Sequence, residues 1–125
     1  GTVHATVTFT LTLDNRLIIK QKATTDKKTP ISLTTHAYFN LAGQSAGPRG
    51  LENHVVKLFS DYYTVVDSHG LPTGEIRKVN RTPYDFRLPK YLGFALKETQ
   101  WKGFDDNYVL SGNLSKMAAW AFHPK

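Results

Sequence analysis

From Val3 to Leu13 the chain alternates without a break. Val3, Ala5, Val7, Phe9, Leu11 and Leu13 are apolar, while His4, Thr6, Thr8, Thr10 and Thr12 are polar. A period of two puts each set on its own face of a strand, whereas a helix would spread both sets around its circumference. Asp14-Asn15 supplies a two-residue turn signal, and residues 17–23 return with Leu17 and Ile19 on one face and Lys20 and Lys22 on the other. A β-hairpin is therefore expected over the first two dozen residues.

Short strands and turns continue this pattern. After the polar stretch Asp26-Lys27-Lys28-Thr29-Pro30, Ile31, Leu33, Ala37 and Phe39 alternate with Ser32, Thr34, His36, Tyr38 and Asn40. A further strand is expected there, with one face rich in hydrogen-bonding groups. Residues 42–50 read as a Gly/Ser/Pro loop, and residues 55–59 and 62–66 as strands. His69-Gly70, Pro72-Thr73-Gly74 and the Pro83 region read as turns. Residues 91–98 suit one or two helical turns weakened by Gly93, and residues 108–110 and 117–122 suit strands. The expected class is all-β, an antiparallel β-sandwich or barrel, with residues 1–125 forming a single segment. The chain opens inside an alternating pattern and stops at His123-Pro124-Lys125, directly after an apolar strand. Open sheet edges are expected from this, covered by self-association, by a partner, or by the rest of a larger fold of which this is an incomplete part.

Composition narrows the function. With no cysteine in 125 residues, a disulfide scaffold, a thiolate metal site and a Cys nucleophile are excluded. No apolar run approaches the ~20 residues that span a bilayer, and no charged-then-apolar stretch opens the chain, so a cytoplasmic protein without a membrane partner is expected. The net charge of +6 raises the question of nucleic acid. Its basic residues are scattered, however, in pairs no longer than Lys27-Lys28 and Arg77-Lys78, so no nucleic-acid partner is expected.

Few residues carry chemistry on their own pattern. The five histidines, at 4, 36, 54, 69 and 123, form no i, i+2 or i, i+4 pair, and no metal site is expected. His4 and His69 are expected at the surface, and the surroundings of His54 and His123 give no reading. His36 shares its expected face with Tyr38 and Asn40. Its ring can give or take a proton near neutral pH. A hydrogen-bonded histidine on a wet sheet face explains the same pattern, and periodicity alone favours that reading. Asp105 and Asp106 follow Gly103-Phe104; neighbours on an extended chain point to opposite sides, so one at most serves a given cleft, and an ordinary turn is the alternative. Asn80-Arg81-Thr82 and Asn113-Leu114-Ser115 match the glycosylation triplet, as chance matches do.

Three longer runs, in order, carry a resemblance. Residues 30–43 (PISLTTHAYFNLAG) are similar to the NLTNHSYFNLAG signature of the aldose 1-epimerase, or galactose mutarotase, family. Residues 63–87 (YTVVDSHGLPTGEIRKVNRTPYDFR) resemble its PVD…PTGE…TPFDFR stretch, and residues 103–110 (GFDDNYVL) resemble GFDHNFVL. The resemblance covers essentially the whole chain, including the Thr-rich hairpin and the AFHPK tail.

That resemblance implies a galactose mutarotase-like β-sandwich enzyme, a supersandwich, acting on free hexoses such as galactose and glucose without metal or organic cofactor. By resemblance His36 is the acid that protonates the ring oxygen and Asp105 the carboxylate that binds sugar hydroxyls. Thr35 stands where the family usually has Asn, and Asp106 where it usually has His. The family's glutamate base, second histidine and arginine match nothing here, and neither Glu75 nor Glu98 sits in the base's motif. The isolated chain is therefore expected to be inactive. The alternative is a non-catalytic β-sandwich module that binds sugar or a protein partner.

Overall fold

The structure, a computed structural model, describes residues 1–110 and 116–124; the Asn113-Leu114-Ser115 triplet lies outside them. The chain divides into two compact units, Gly1–Tyr38 and Phe39–Lys125.

In the first unit, β1 (Val3–Leu11) pairs antiparallel with β2 (Leu17–Thr25) along its full length. The register sets Leu11 opposite Leu17, Phe9 opposite Ile19, Val7 opposite Gln21 and Ala5 opposite Ala23, so one face is almost wholly apolar. The other carries His4, Thr6, Thr8 and Thr10 against Thr24, Lys22, Lys20 and Ile18. Leu13 leaves the alternation and is fully exposed in the turn. The turn is longer than the Asp14-Asn15 pair implied. The Thr12 amide donates to the Arg16 carbonyl at 2.9 Å and the Arg16 amide to Thr12 Oγ1 at 3.0 Å. Asn15 takes the left-handed conformation, φ 60°, that such turns require and that Asn tolerates.

The strand expected at residues 31–40 does not form: residues 26–40 make no ladder. Alternation supplies two faces, but a strand also needs a neighbour's backbone to bond, and the backbone of this segment meets none. Side chains restrain the segment instead. Gln21 Nε2 donates to the Thr34 carbonyl at 2.9 Å and to Thr35 Oγ1 at 3.5 Å.

The second unit opens with a 3-10 turn (Gln44–Ala46) and a one-turn helix α1 (Gly47–Gly50) inside the expected loop. It then builds two three-stranded antiparallel sheets. In one, β3 (Val55–Leu58) lies between β6 (Lys90–Tyr91) and β8 (Ala119–Phe122). In the other, β4 (Tyr62–Val66) lies between β5 (Pro72–Lys78) and β7 (Tyr108–Val109). β5 contradicts the turn reading of Pro72-Thr73-Gly74. Proline has no N–H to give a ladder, but Pro72 is the first residue of an edge strand, where none is needed, and an irregularity between Thr64 and Val66 absorbs the register change.

Helix α2 (Leu92–Glu98) forms where one was expected. Gly93 is there for contact: a Cβ would sit 3.0 Å from Glu52 Cβ and 3.1 Å from the Glu52 carbonyl oxygen. That carbonyl already accepts the Gly93 amide at 2.9 Å.

The core of this unit is small and aromatic. Tyr63, Val79, Phe86, Ala95 and Leu96 are buried, Val79 completely. The Tyr63 and Tyr84 rings lie 4.5 Å apart, and Phe104 meets Phe86 edge-on at 5.0 Å. Buried Ser60 ties β4 to β7: its hydroxyl lies 2.6 Å from the Val109 carbonyl and 2.8 Å from the Tyr62 carbonyl, and its single proton serves one of them at a time.

Candidate active site

His36 is the first of the two candidates, and it lies in the unpaired stretch just beyond Thr34. Its ring is exposed and sits 5.2 Å from the Tyr38 ring, tilted by 48°. An extended backbone brings i and i+2 side chains to one side without any ladder, so this part of the alternation reading holds. Asn40 leaves the set. Its Oδ1 accepts the Ala42 amide at 3.1 Å and its Nδ2 donates to the Gly43 carbonyl at 3.0 Å, so its side chain closes a turn.

Asp105 belongs to the second unit, just before β7. Gly103 turns the chain into it with φ 82°, a conformation glycine adopts at no steric cost. Phe104 then packs on Phe86 and, at 6.0 Å, on Tyr84. With Phe104 anchored, the next two residues alternate: Asp105 is exposed and Asp106 half-buried. Loss of solvent pushes the Asp106 carboxyl above its ordinary value, with the negative charge of Asp105 adding to the effect. Burial likewise raises the phenols of Tyr84 and Tyr108, and the charge of Asp106 adds to both. Tyr108 Oη donates to the Tyr84 carbonyl at 3.1 Å, which fixes the ring beside that carboxyl. An exposed carboxylate beside an aromatic layer can accept hydrogen bonds from vicinal hydroxyls while a sugar's apolar face lies on a ring.

Several other ionisable side chains are bound to each other. Arg87 grips Asp85 through two bonds, Nε to Oδ1 at 2.9 Å and Nη2 to Oδ2 at 2.7 Å. It also reaches Asp61 Oδ1 and Asn80 Oδ1, both at 3.2 Å. The Arg87 guanidinium holds the Asp85 carboxyl below the usual carboxylate range. Glu75 is held by Arg77 at 2.7 and 3.0 Å, and Glu98 by Lys90 at 2.9 Å. His4 and His69 are exposed, as expected.

His54 had no readable context in the sequence, yet it is 2% exposed. Its Nε2 accepts the Leu41 amide at 2.9 Å and its Nδ1 faces the Gly50 and Leu51 carbonyls at 3.0 and 3.2 Å. A lone His between Asn53 and Val55 carries no signal, because the groups it serves are backbone. His123 stacks edge-on to it at 4.9 Å and lines a cleft of about 680 Å³ with Glu52, Tyr91, Phe94 and Lys97; neither His36 nor Asp105 lines it. No group of three or more metal-ligating side chains forms among the described residues. No helix among them is long and apolar enough to cross a membrane.

Residues 1–125 match the aldose 1-epimerase family along their whole length. The chain belongs to the aldose 1-epimerase family. It is 40% identical to the human galactose mutarotase over 116 residues, 93% of this chain and 33% of that one. To the aldose 1-epimerase of Escherichia coli K12 it is 38% identical over 125 residues, 95% of this chain and 35% of that one. Among solved structures, it superposes on an aldose epimerase homologue from C. elegans with a TM-score of 0.79 at 30% identity, covering 96% of this chain and 36% of the other. A galactose 1-epimerase from Lactobacillus acidophilus gives the same TM-score and identity, with 35% of its chain covered. The antiparallel sheets are thus part of the β-sandwich fold of the aldose 1-epimerases. The chain spans about a third of the length of the curated relatives it matches.

Proposed function

We propose that these 125 residues are one segment of a mutarotase domain, which interconverts the α and β anomers of free hexoses such as galactose and glucose. The observation that carries this reading is the joint presence of the His36 and Asp105 motifs in a chain about 40% identical to galactose mutarotases.

The chemistry requires two proton transfers. A base takes the proton of the anomeric hydroxyl as the bond from C1 to the ring oxygen breaks, and an acid delivers a proton to that oxygen. Rotation about C1–C2 and the reverse transfers close the other anomer. His36, exposed on an extended segment and able to carry a proton near neutral pH, suits the acid. Asp105, exposed above an anchored Phe104, suits a ligand for vicinal hydroxyls. The base is matched by no residue of this chain; Glu75 and Glu98 are engaged by Arg77 and Lys90.

Polarimetry of freshly dissolved α-D-galactose tests this. The isolated chain leaves mutarotation at its spontaneous rate, because an acid without its base cannot complete the exchange. Acceleration that disappears in His36→Ala would overturn that account. Galactose should still give saturation-transfer NMR contacts that Asp105→Ala removes; contacts unchanged in that variant count against the sugar role of Asp105.

A second reading, an interaction module, is favoured by the hairpin. Phe9, Leu11 and Leu17 on its apolar face are 65%, 77% and 56% exposed, and such faces mark association surfaces. Self-association through that face or the open edges would show as a concentration-dependent mass in sedimentation. The cytoplasm remains the proposed location, which suits a chain without cysteine.

A further inference from the structure

The apolar face of the hairpin is interrupted at Gln21, which stands between Ile19 and Ala23 on β2 and opposite Val7. Gln21 is half-buried, as are Ile19 and Ala23. An amide in that place costs stability unless its polar atoms find partners. Its Nε2 meets two on residues 34–35: the Thr34 carbonyl at 2.9 Å and, more loosely, Thr35 Oγ1 at 3.5 Å. A carbonyl can only accept, so the NH2 end of the amide must face Thr34 and its orientation is fixed.

Little else ties this stretch to the hairpin. At the end of β2 the Lys27 carbonyl accepts from Thr25 Oγ1 and Thr29 Oγ1, at 2.8 Å each, and closes a turn. Beyond that turn, among the described residues, Gln21 alone bonds the segment up to Tyr38 to the hairpin. His36 follows Thr35 directly, and all of these residues belong to the Gly1–Tyr38 unit. A general acid works when it is held to within about 0.5 Å of its productive position, and backbone outside a ladder does not hold itself. Thr35 stands where the family usually has Asn, so the hydroxyl that Gln21 meets is this chain's own. We propose that Gln21 is a positioning residue for His36, acting through the Thr34 carbonyl and the Thr35 hydroxyl. The proposal rests on the mutarotase reading for what His36 does, and not for the anchor itself.

NMR of the 125-residue chain at neutral pH tests it. In the unaltered protein one Gln21 Nε2 proton should be shifted and slow to exchange, with cross-peaks to residues 34 and 35. A side-chain amide that averages freely in solvent overturns the proposal without any variant. Gln21→Met fills similar space on the apolar face and has no donor, so β1 and β2 should keep their amide protection. The anchored population of residues 34–36 should fall about five-fold, the loss of one hydrogen bond. The Thr34 carbonyl carbon and the His36 ring signals read that fall. Gln21→Lys restores a donor at similar reach and should return both signals to their original positions. His36 signals that ignore Gln21→Met, or a Lys variant that behaves as the Met variant does, would overturn the proposal. Loss of β1–β2 protection in step with the His36 signals would also overturn it, by showing a packing role alone. None of these readouts needs sugar. Galactose contacts absent while the anchor holds would overturn the mutarotase reading and leave the anchor standing. Contacts present while His36 ignores Gln21→Met would do the reverse.

Discussion

At the scale of single residues, Asp85 and Asp106 are displaced in opposite directions and give opposite pH signatures. Asp85 is lowered by its pairing with Arg87, so its contribution to stability is complete above the ordinary carboxylate value of 3.8 and fades as pH falls through the lower folded value. Asp85→Asn should destabilise the second unit at neutral pH and have little effect well below pH 3.8. Asp106 is raised by lost solvation, so it opposes folding above its folded value, and that opposition vanishes below 3.8. Asp106→Asn should therefore raise the urea midpoint at neutral pH and change it little in acid. Comparing midpoints at the two pH values checks both signs. Of these groups, the Asp105–Asp106 alternation could be read from adjacency alone. The commitment of Asn40 to its own turn, and of His54 to the backbone, could not, because both depend on which amide happens to lie within 3 Å or so.

At the scale of elements, the hairpin illustrates what periodicity can and cannot specify. Every cross-strand pair follows from the alternation once the turn is placed, yet the turn takes one residue more than Asp14-Asn15 suggested, with Asn15 at φ 60°. Asn15→Ala should cost about 1–2 kcal/mol through the left-handed backbone, and Asn15→Gly much less. Amide exchange along β1 and β2 reads both. Gly93 poses the converse problem. Alanine would favour α2 by up to ~1 kcal/mol, but its Cβ would press on the backbone of Glu52, which the Gly93 amide holds. Gly93→Ala should lower the thermal midpoint despite the better helix propensity. The missed β5 has a similar lesson. Pro72 and Gly74 are turn residues by type, and their position at a sheet edge makes them strand residues.

At the scale of the whole chain, stability in the second unit rests on a handful of buried groups. Phe86, 3% exposed and packed on Phe104, is the largest stake: Phe86→Ala should cost about 3–5 kcal/mol. A marginal domain loses most of its folded population at that cost. Far-UV circular dichroism in urea measures it. If Asp105 depends on this core as the packing of Phe104 indicates, the same variant should also weaken galactose contacts.

The sequence alone determined the β class, the opening hairpin, and the family to which the His36 and Asp105 motifs belong, because period-two patterning and ordered motifs are properties of neighbouring residues. Tertiary structure decided whether an alternating run finds a ladder: β1 and β2 did and residues 31–40 did not. It also decided which polar groups are consumed, among them Asn40, Glu75 and Arg87, and that His54 serves Leu41. The reason is physical. Hydrogen bonds are short and directional, so their partners are set by where distant backbone arrives, and local pattern carries no record of that.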